Sequence, residues 1–247
     1  MGKNKLAKFS EMKQFDHVIQ APYHVIEQND FHLKGKWAER FFGNENPIIL
    51  ELGCGKGEYT VQLAEKYPET NFIAIDIKGA RLYNGAKEAL EKELKNVAFL
   101  RTNIEIVDRF FGKDEIAEIW LTFPDPQMKK TRKRLTSTFF LENYRKFLQP
   151  DGIIHLKTDS NFQFTYTSAL VHLNNFEVIT ETDNLYESEL VNETLQIKTF
   201  YEKQWLARGI TIKYIAFKLN KKKFVEPDIE IERDEYRSFG RSAKDIH

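Results

Sequence analysis

Cysteine is nearly absent. Cys54 is the only one in 247 residues, which excludes a disulfide framework and a multi-cysteine zinc site and suits a reducing compartment. Glycine and proline are sparse, at twelve and seven, far from the share found in collagenous or low-complexity chains. No apolar run approaches the ~18 residues of a membrane span. The opening MGKNKLAKFSEMKQF is basic but has no apolar segment, so no secretory leader is expected. Neither charge dominates: 37 Lys and Arg balance 37 Asp and Glu, which argues against indiscriminate coating of nucleic acid. These absences point to a soluble, intracellular globular protein without membrane association; a cytoplasmic monomer or homodimer is expected, and the sequence does not choose between the two.

The charge balance hides segregation. Residues 129–134 read Lys-Lys-Thr-Arg-Lys-Arg, while 226–235 carry Glu226, Asp228, Glu230, Glu232, Asp234 and Glu235. A local positive field is therefore possible without a positive total. There is no internal repeat and no Gly/Ser linker. Residues 1–46 read as an irregular basic and aromatic extension packing on the core, 47–220 as the main domain and 221–247 as a charged tail.

From residue 47 the pattern alternates. Short apolar runs occur at 48–52, 71–76, 96–102, 118–123 and 153–158, with helical stretches near 59–67, 79–95, 137–148 and 160–173 between or after them. Two more strands, at 176–180 and 211–219, flank a helix at 199–208 and suit an antiparallel edge pair. Apolar runs of this length between helices indicate parallel strands covered on both faces, hence a doubly wound, mostly parallel α/β sheet. Such sheets bind ligands beyond the carboxyl ends of their strands.

The first strand ends in Glu51-Leu52-Gly53-Cys54-Gly55-Lys56-Gly57. Gly53, Gly55 and Gly57 permit a tight turn and close approach of a flat ligand. A dinucleotide site favours G-x-G-x-x-G with a pyrophosphate at the helix N-terminus. Here the spacing is G-x-G-x-G with an acid two residues earlier, which suits the cationic end of S-adenosyl-L-methionine. Asp76 closes the second strand, where a carboxylate can accept both hydroxyls of a ribose. Asn103, just past the third strand, suits a position beside an adenine ring. Cys54 reads as a packing residue and His155, inside an apolar strand, as core. The histidines show no ligand-like spacing, so no metal is expected.

The fourth strand runs into Phe123-Pro124-Asp125-Pro126-Gln127-Met128-Lys129-Lys130 and then Thr131-Arg132-Lys133-Arg134-Leu135-Thr136. Two prolines stiffen the loop around Asp125, and the adjoining basic run suits a phosphate backbone.

ELGCGKG (51–57), FPDP with the following KK and RKRLT (123–136), KTD (157–159) and Thr199-Phe200-Tyr201-Glu202 in a T-x-[FY]-E pattern together resemble the bacterial tRNA (guanine-N7-)-methyltransferase family. The resemblance covers about residues 48 to 219. Gln127-Met128 stand where the family commonly has Trp-Pro, and the acidic tail lies outside the shared pattern. The resemblance implies a class I S-adenosylmethionine-dependent, Rossmann-like methyltransferase domain with an antiparallel edge strand. Glu51, Asp76, Asn103 and Asp125 would contact the donor, and Asp125 would also be the catalytic residue. Lys129, Asp159, Thr199, Phe200, Tyr201 and Glu202 would contact the target nucleoside. Thr131, Arg132, Lys133, Arg134, Leu135 and Thr136 would meet the RNA. The methyl group would go to N7 of guanine 46 in the tRNA variable loop, giving 7-methylguanosine.

The chemistry agrees with these residue types. Guanine N7 has a lone pair and no proton, so attack on a sulfonium methyl requires alignment more than a general base. The product ring is cationic, and a carboxylate on its Watson–Crick edge would stabilise it. Asp125, Asp159 and Glu202 are the candidates. Asp159 alone would equally suit capping of the helix near Ser160. Two other readings remain: a methyltransferase of this fold acting on another substrate, which the basic loop disfavours, and an inactive RNA-binding member, which intact Glu51, Asp76 and Asp125 disfavour.

Overall fold

The computed structural model describes residues 2–21 and 31–238. The parts of the N-terminal extension and charged tail at 22–30 and 239–247 lie outside the described residues. Eight strands are present: β1 (Val18–Gln20), β2 (Ile48–Leu52), β3 (Asn71–Ile75), β4 (Val97–Arg101), β5 (Ile116–Thr122), β6 (Leu148–Thr158), β7 (Glu177–Thr182) and β8 (Lys213–Lys218). They form one sheet in the order β1-β4-β3-β2-β5-β6-β8-β7. Pairing is parallel from β1 through β6, while β8 runs antiparallel to both β6 and β7. The described α-helices are α1 (Gly2–Met12), α2 (Glu58–Lys66), α3 (Gly79–Glu91), α4 (Thr138–Tyr144), α5 (Asn161–Leu173), α6 (Phe200–Ala207) and α7 (Glu235–Ser238). This is the doubly wound, mostly parallel sheet with an antiparallel edge that the sequence leads one to expect.

Alternation along each central strand divides the core between two faces. Leu50, Ile73, Ile75, Ala98 and Leu100 join α4 and α5 on one side. Phe72, Ala74, Val97 and Phe99 meet α2 and α3 on the other. Strands buried on both faces are apolar at most positions, which is why they read as near-continuous runs. The chain reverses its direction of travel across the sheet between β2 and β5, so their carboxyl ends diverge and open a crevice.

Three local expectations change. Residues 1–46 are not irregular throughout: α1 packs on α3, where Tyr83 Oη donates to Glu11 at 2.7 Å, and β1 extends the sheet beside β4. Trp37 is fully buried, its indole N–H donating to the Phe110 carbonyl at 2.9 Å. The helix expected over 137–148 stops at Tyr144, and β6 starts at Leu148 rather than Ile153. Pro150-Asp151-Gly152 form an irregularity within the strand, because register with β5 jumps from Ile116↔Leu148 to Glu118↔Ile153. Glycine is needed there: a Cβ on Gly152 would fall 2.6 Å from Leu148 and 2.9 Å from the Ala117 carbonyl.

Candidate active site

The carboxyl ends of β2, β3, β4 and β5 and the N-terminus of α6 enclose a cavity of about 610 Å³. Gly53 and Gly55 form part of its floor with φ of 78° and 58°, left-handed values that side chains disfavour. The turn is pinned from the neighbouring strand. Asp76 accepts the Gly55 N–H at 2.9 Å through Oδ2 and the Lys78 N–H at 2.7 Å through Oδ1. Each carboxylate oxygen keeps acceptor capacity towards the cavity. Gly57 starts α2 behind the wall, where a Cβ would lie 2.8 Å from Phe99.

Asp125 also lines the cavity and is exposed, with Pro124 and Pro126 buried around it. Its Oδ1 accepts the Gln127 N–H at 3.0 Å. Phe123 and Gln127, immediately outside the two prolines, have φ of 52° and 47°. Two non-glycine residues in this region cost on the order of 1–3 kcal/mol each. The surrounding structure thus holds the carboxylate against backbone preference. Asn103, Leu135, Thr199 and Tyr201 also line the cavity. Asn103 is exposed and its side chain makes no cap to the turn that follows.

Glu51 lies behind this wall. It is buried, with Oε2 accepting the Thr60 N–H at 3.1 Å and the Thr60 hydroxyl, and Oε1 accepting the Thr122 hydroxyl. Burial raises its pKa to about 7 despite these three donors. It is absent from the cavity lining and supports the floor through Thr122, which does line it. Cys54 is buried, as a packing residue should be, and burial lifts its thiol well above the usual range. His155 is likewise core, stacked on Trp120 with ring centroids 4.0 Å apart.

Other expected contacts fall elsewhere. Glu202 is wholly buried, with Oε1 2.9 Å from Lys157 Nζ and also receiving the Tyr186 hydroxyl. Its Oε2 and the Thr199 side chain form a capping box at the start of α6. A fully engaged, sealed carboxylate holds the helix and does not face a nucleoside. Lys157 Nζ also donates to the Leu195 and Ile197 carbonyls at 2.9 Å, and burial draws its pKa down against the pull of Glu202. Asp159 is 1% exposed and lies outside the cavity wall. Phe200 and Tyr201 are both exposed beside the site, with Lys56 Nζ 4.0 and 5.8 Å from their ring centres.

The basic segment divides in two. Lys129, Lys130, Thr131, Arg132 and Lys133 are exposed. Lys133 also pairs with Glu105 at 2.6 Å. Arg134 is 7% exposed, its guanidinium 4.7 and 4.3 Å from the ring centres of Phe162 and Tyr166. Thr136 is sealed, bonded to Thr167 and Gln163. These two serve packing rather than an RNA surface, because α5 offers aromatic rings at a spacing of four that a cation can cover.

The sequence reading missed Lys56, Thr102, Thr122 and Trp205 on the wall. Thr102 and Thr122 sit at carboxyl ends of strands, which is a usable signal. Trp205 stands one helical turn beyond Tyr201. Among the described residues, no group of three His, Cys, Asp or Glu could hold a metal ion. Nor is any described helix long and apolar enough to cross a membrane.

Comparison with known proteins places this geometry. The model of a family described as "Putative methyltransferase" matches residues 45–215. The tRNA (guanine-N(7)-)-methyltransferase of Bacteroides thetaiotaomicron is 59% identical, over 99% of this chain and 97% of that protein. Its namesake from Porphyromonas gingivalis is 58% identical over 94% of this chain and 98% of its own. The solved structure of the 16S rRNA methyltransferase KamB is similar at a TM-score of 0.57 and 14% identity, covering 74% of this chain and 92% of that one. A likeness at that identity speaks for the fold. Identity near 60% along almost the full length is a stronger relation, and the chain belongs to the tRNA (guanine-N7-)-methyltransferase family.

Proposed function

We propose that this enzyme transfers a methyl group from S-adenosyl-L-methionine to N7 of guanine 46 in the tRNA variable loop. One observation supports the reading: Asp125, on its strained proline-braced loop, lines the same cavity as Gly53, Gly55 and Asp76, and the chain runs on from that loop into exposed Lys129, Lys130 and Arg132. The residues present fit the donor. Thr102 Oγ1 is a buried hydroxyl on a cavity-lining residue with no hydrogen-bond partner among the described residues. Asp76 can accept the two ribose hydroxyls, and Asn103 can flank an adenine. When bound, S-adenosyl-L-methionine supplies an electrophilic methyl on a sulfonium.

The side chains of this protein do the rest by position. Of the three carboxylates considered for the guanine edge, Asp159 and Glu202 are buried and engaged, and Asp125 is the one on the cavity wall. It would oppose the positive charge that develops on the purine, where a fixed anion stabilises the transition state more than the ground state. Tyr201 offers a stacking face, and the exposed lysines and Arg132 hold phosphates. Displacing the base from folded RNA costs a few kcal/mol, which such contacts can offset.

The test is nucleoside analysis of an unmodified tRNA transcript incubated with protein and donor. One 7-methylguanosine per tRNA, absent when guanine 46 is replaced by adenine, is the expected result. Methylation elsewhere, or none, would overturn the assignment.

A further inference from the structure

The acidic tail is not a loose charged appendage over its described length. Phe224 is buried, its ring 4.8 Å from that of Phe176 and 3.7 Å from the Arg145 guanidinium. Glu226 accepts the Thr138 N–H at 2.9 Å and its hydroxyl at 2.7 Å, and Tyr166 Oη donates to its other oxygen. Asp234 is buried, accepting the Phe162 N–H at 3.1 Å and the Ser160 hydroxyl. Two acids that look like surface charge in the sequence thus cap α4 and α5 from outside those helices.

This path carries the chain to the side of the cavity formed by α6. Tyr236 Oη lies 3.0 Å from Asp159 Oδ2 and 3.0 Å from the Asp159 carbonyl. Its ring meets the Trp205 indole edge to face at 5.3 Å. Trp205 lines the cavity, as do Thr199 and Tyr201 on the same helical segment. That segment is held mostly from its first turn, with Trp205 and Leu206 partly buried against the core. Glu202 is the one buried residue of α6, and eight residues cannot sustain a helix unaided. The Lys157–Glu202 pair fixes its first turn. Tyr236 reaches its second.

We propose that Tyr236 is a positioning residue for methyl transfer, tying the β6–α5 turn at Asp159 to Trp205 and so fixing the wall against which the target guanine is held. The inference rests on the tRNA methyltransferase reading above. It assigns the tail, which the family pattern leaves without a role, to the substrate half of the site and not to the donor half.

Tyr236→Ala and Tyr236→Phe in the full chain test it. Four readouts are needed: kcat and KM for a tRNA transcript, calorimetric affinity for S-adenosylhomocysteine, thermal unfolding, and hydrogen exchange across residues 200–207. Tyr236→Ala should lower kcat/KM for tRNA by about tenfold to a hundredfold, the scale of a small misplacement. S-adenosylhomocysteine affinity should stay within about twofold, and the α6 amides should exchange faster. Tyr236→Phe keeps the ring against Trp205 and should recover the exchange protection but only part of kcat/KM. Unchanged kcat/KM in Tyr236→Ala would overturn the proposal, as would a gain, which would make the tail an obstruction. Parallel losses of product affinity and folding would also overturn it, reducing the residue to a general support. Should the wild type methylate no tRNA, the function assignment falls, and unaltered exchange in Tyr236→Ala would then refute the tie by itself.

Discussion

Lys157 Nζ and Glu202 Oε1 stand 2.9 Å apart with neither side chain exposed, and this pair joins the end of β6 to the first turn of α6. Removing one partner leaves a buried charge without compensation, at a cost of about 3–5 kcal/mol. Lys157→Met should therefore lower urea-unfolding stability by that amount. Adding Glu202→Gln, which retains an acceptor for the cap but no charge, should restore part of it. A double variant as unstable as the sum of the singles would show that the two groups are not coupled.

Asp125→Asn should reduce kcat for 7-methylguanosine formation by about 10²–10³-fold, the usual scale for losing one preorganised electrostatic group. Folding should survive, since Asp125 is exposed and a neutral amide oxygen can still accept the Gln127 N–H. Transfer RNA affinity by filter binding should be close to wild type. Turnover near normal would remove Asp125 from the mechanism.

The two halves of the basic loop should separate in their salt response. Replacing Lys129 and Lys130 with Ala should weaken tRNA binding and flatten the log Kd against log salt plot by roughly 0.7–0.9 per lost phosphate contact. Arg134→Ala should leave that slope unchanged and lower stability instead, because its guanidinium covers Phe162 and Tyr166 inside the fold. Binding titrations at several salt concentrations, with thermal melts beside them, distinguish the two.

Glu51 should make the stability of the protein pH-dependent. Its folded pKa is raised from 4.5 to about 7. Between those values the folded chain holds a proton that the unfolded chain has released, so stability falls as pH rises through that window and stays low above it. The full effect is on the order of 3 kcal/mol. Glu51→Gln mimics the protonated form. Its unfolding free energy should change less than that of the wild type between pH 5 and pH 8. Equal pH profiles would show that Glu51 titrates normally.

The central sheet was legible because β2, β3 and β4 are buried on both faces and so read as apolar runs. The three-residue β1 is too short to carry any period, and Pro150-Asp151-Gly152 has the composition of a turn although it lies inside β6. At the site, Asp76 and Asp125 could be located on the cavity because they follow the carboxyl ends of β3 and β5, the second between two prolines. Glu202 and Arg134 could not be placed, since each is drawn inward by partners distant in sequence: Lys157 for one, Phe162 and Tyr166 for the other. Thr199-x-x-Glu202 nevertheless carries a capping-box signature, which marks that glutamate as a helix-start residue before it marks it as a ligand.

Glu226 and Asp234 have a consequence for synthesis. Each accepts an amide in the first turn of a helix, from a residue 88 or 72 positions earlier in the chain. On a ribosome adding roughly 5–20 residues per second, α4 and α5 therefore wait several seconds with unsatisfied amides before their caps emerge. A chain ended between β8 and residue 226 would hold every strand of the sheet but neither of these two acids, leaving the first turns of α4 and α5 to bond water instead.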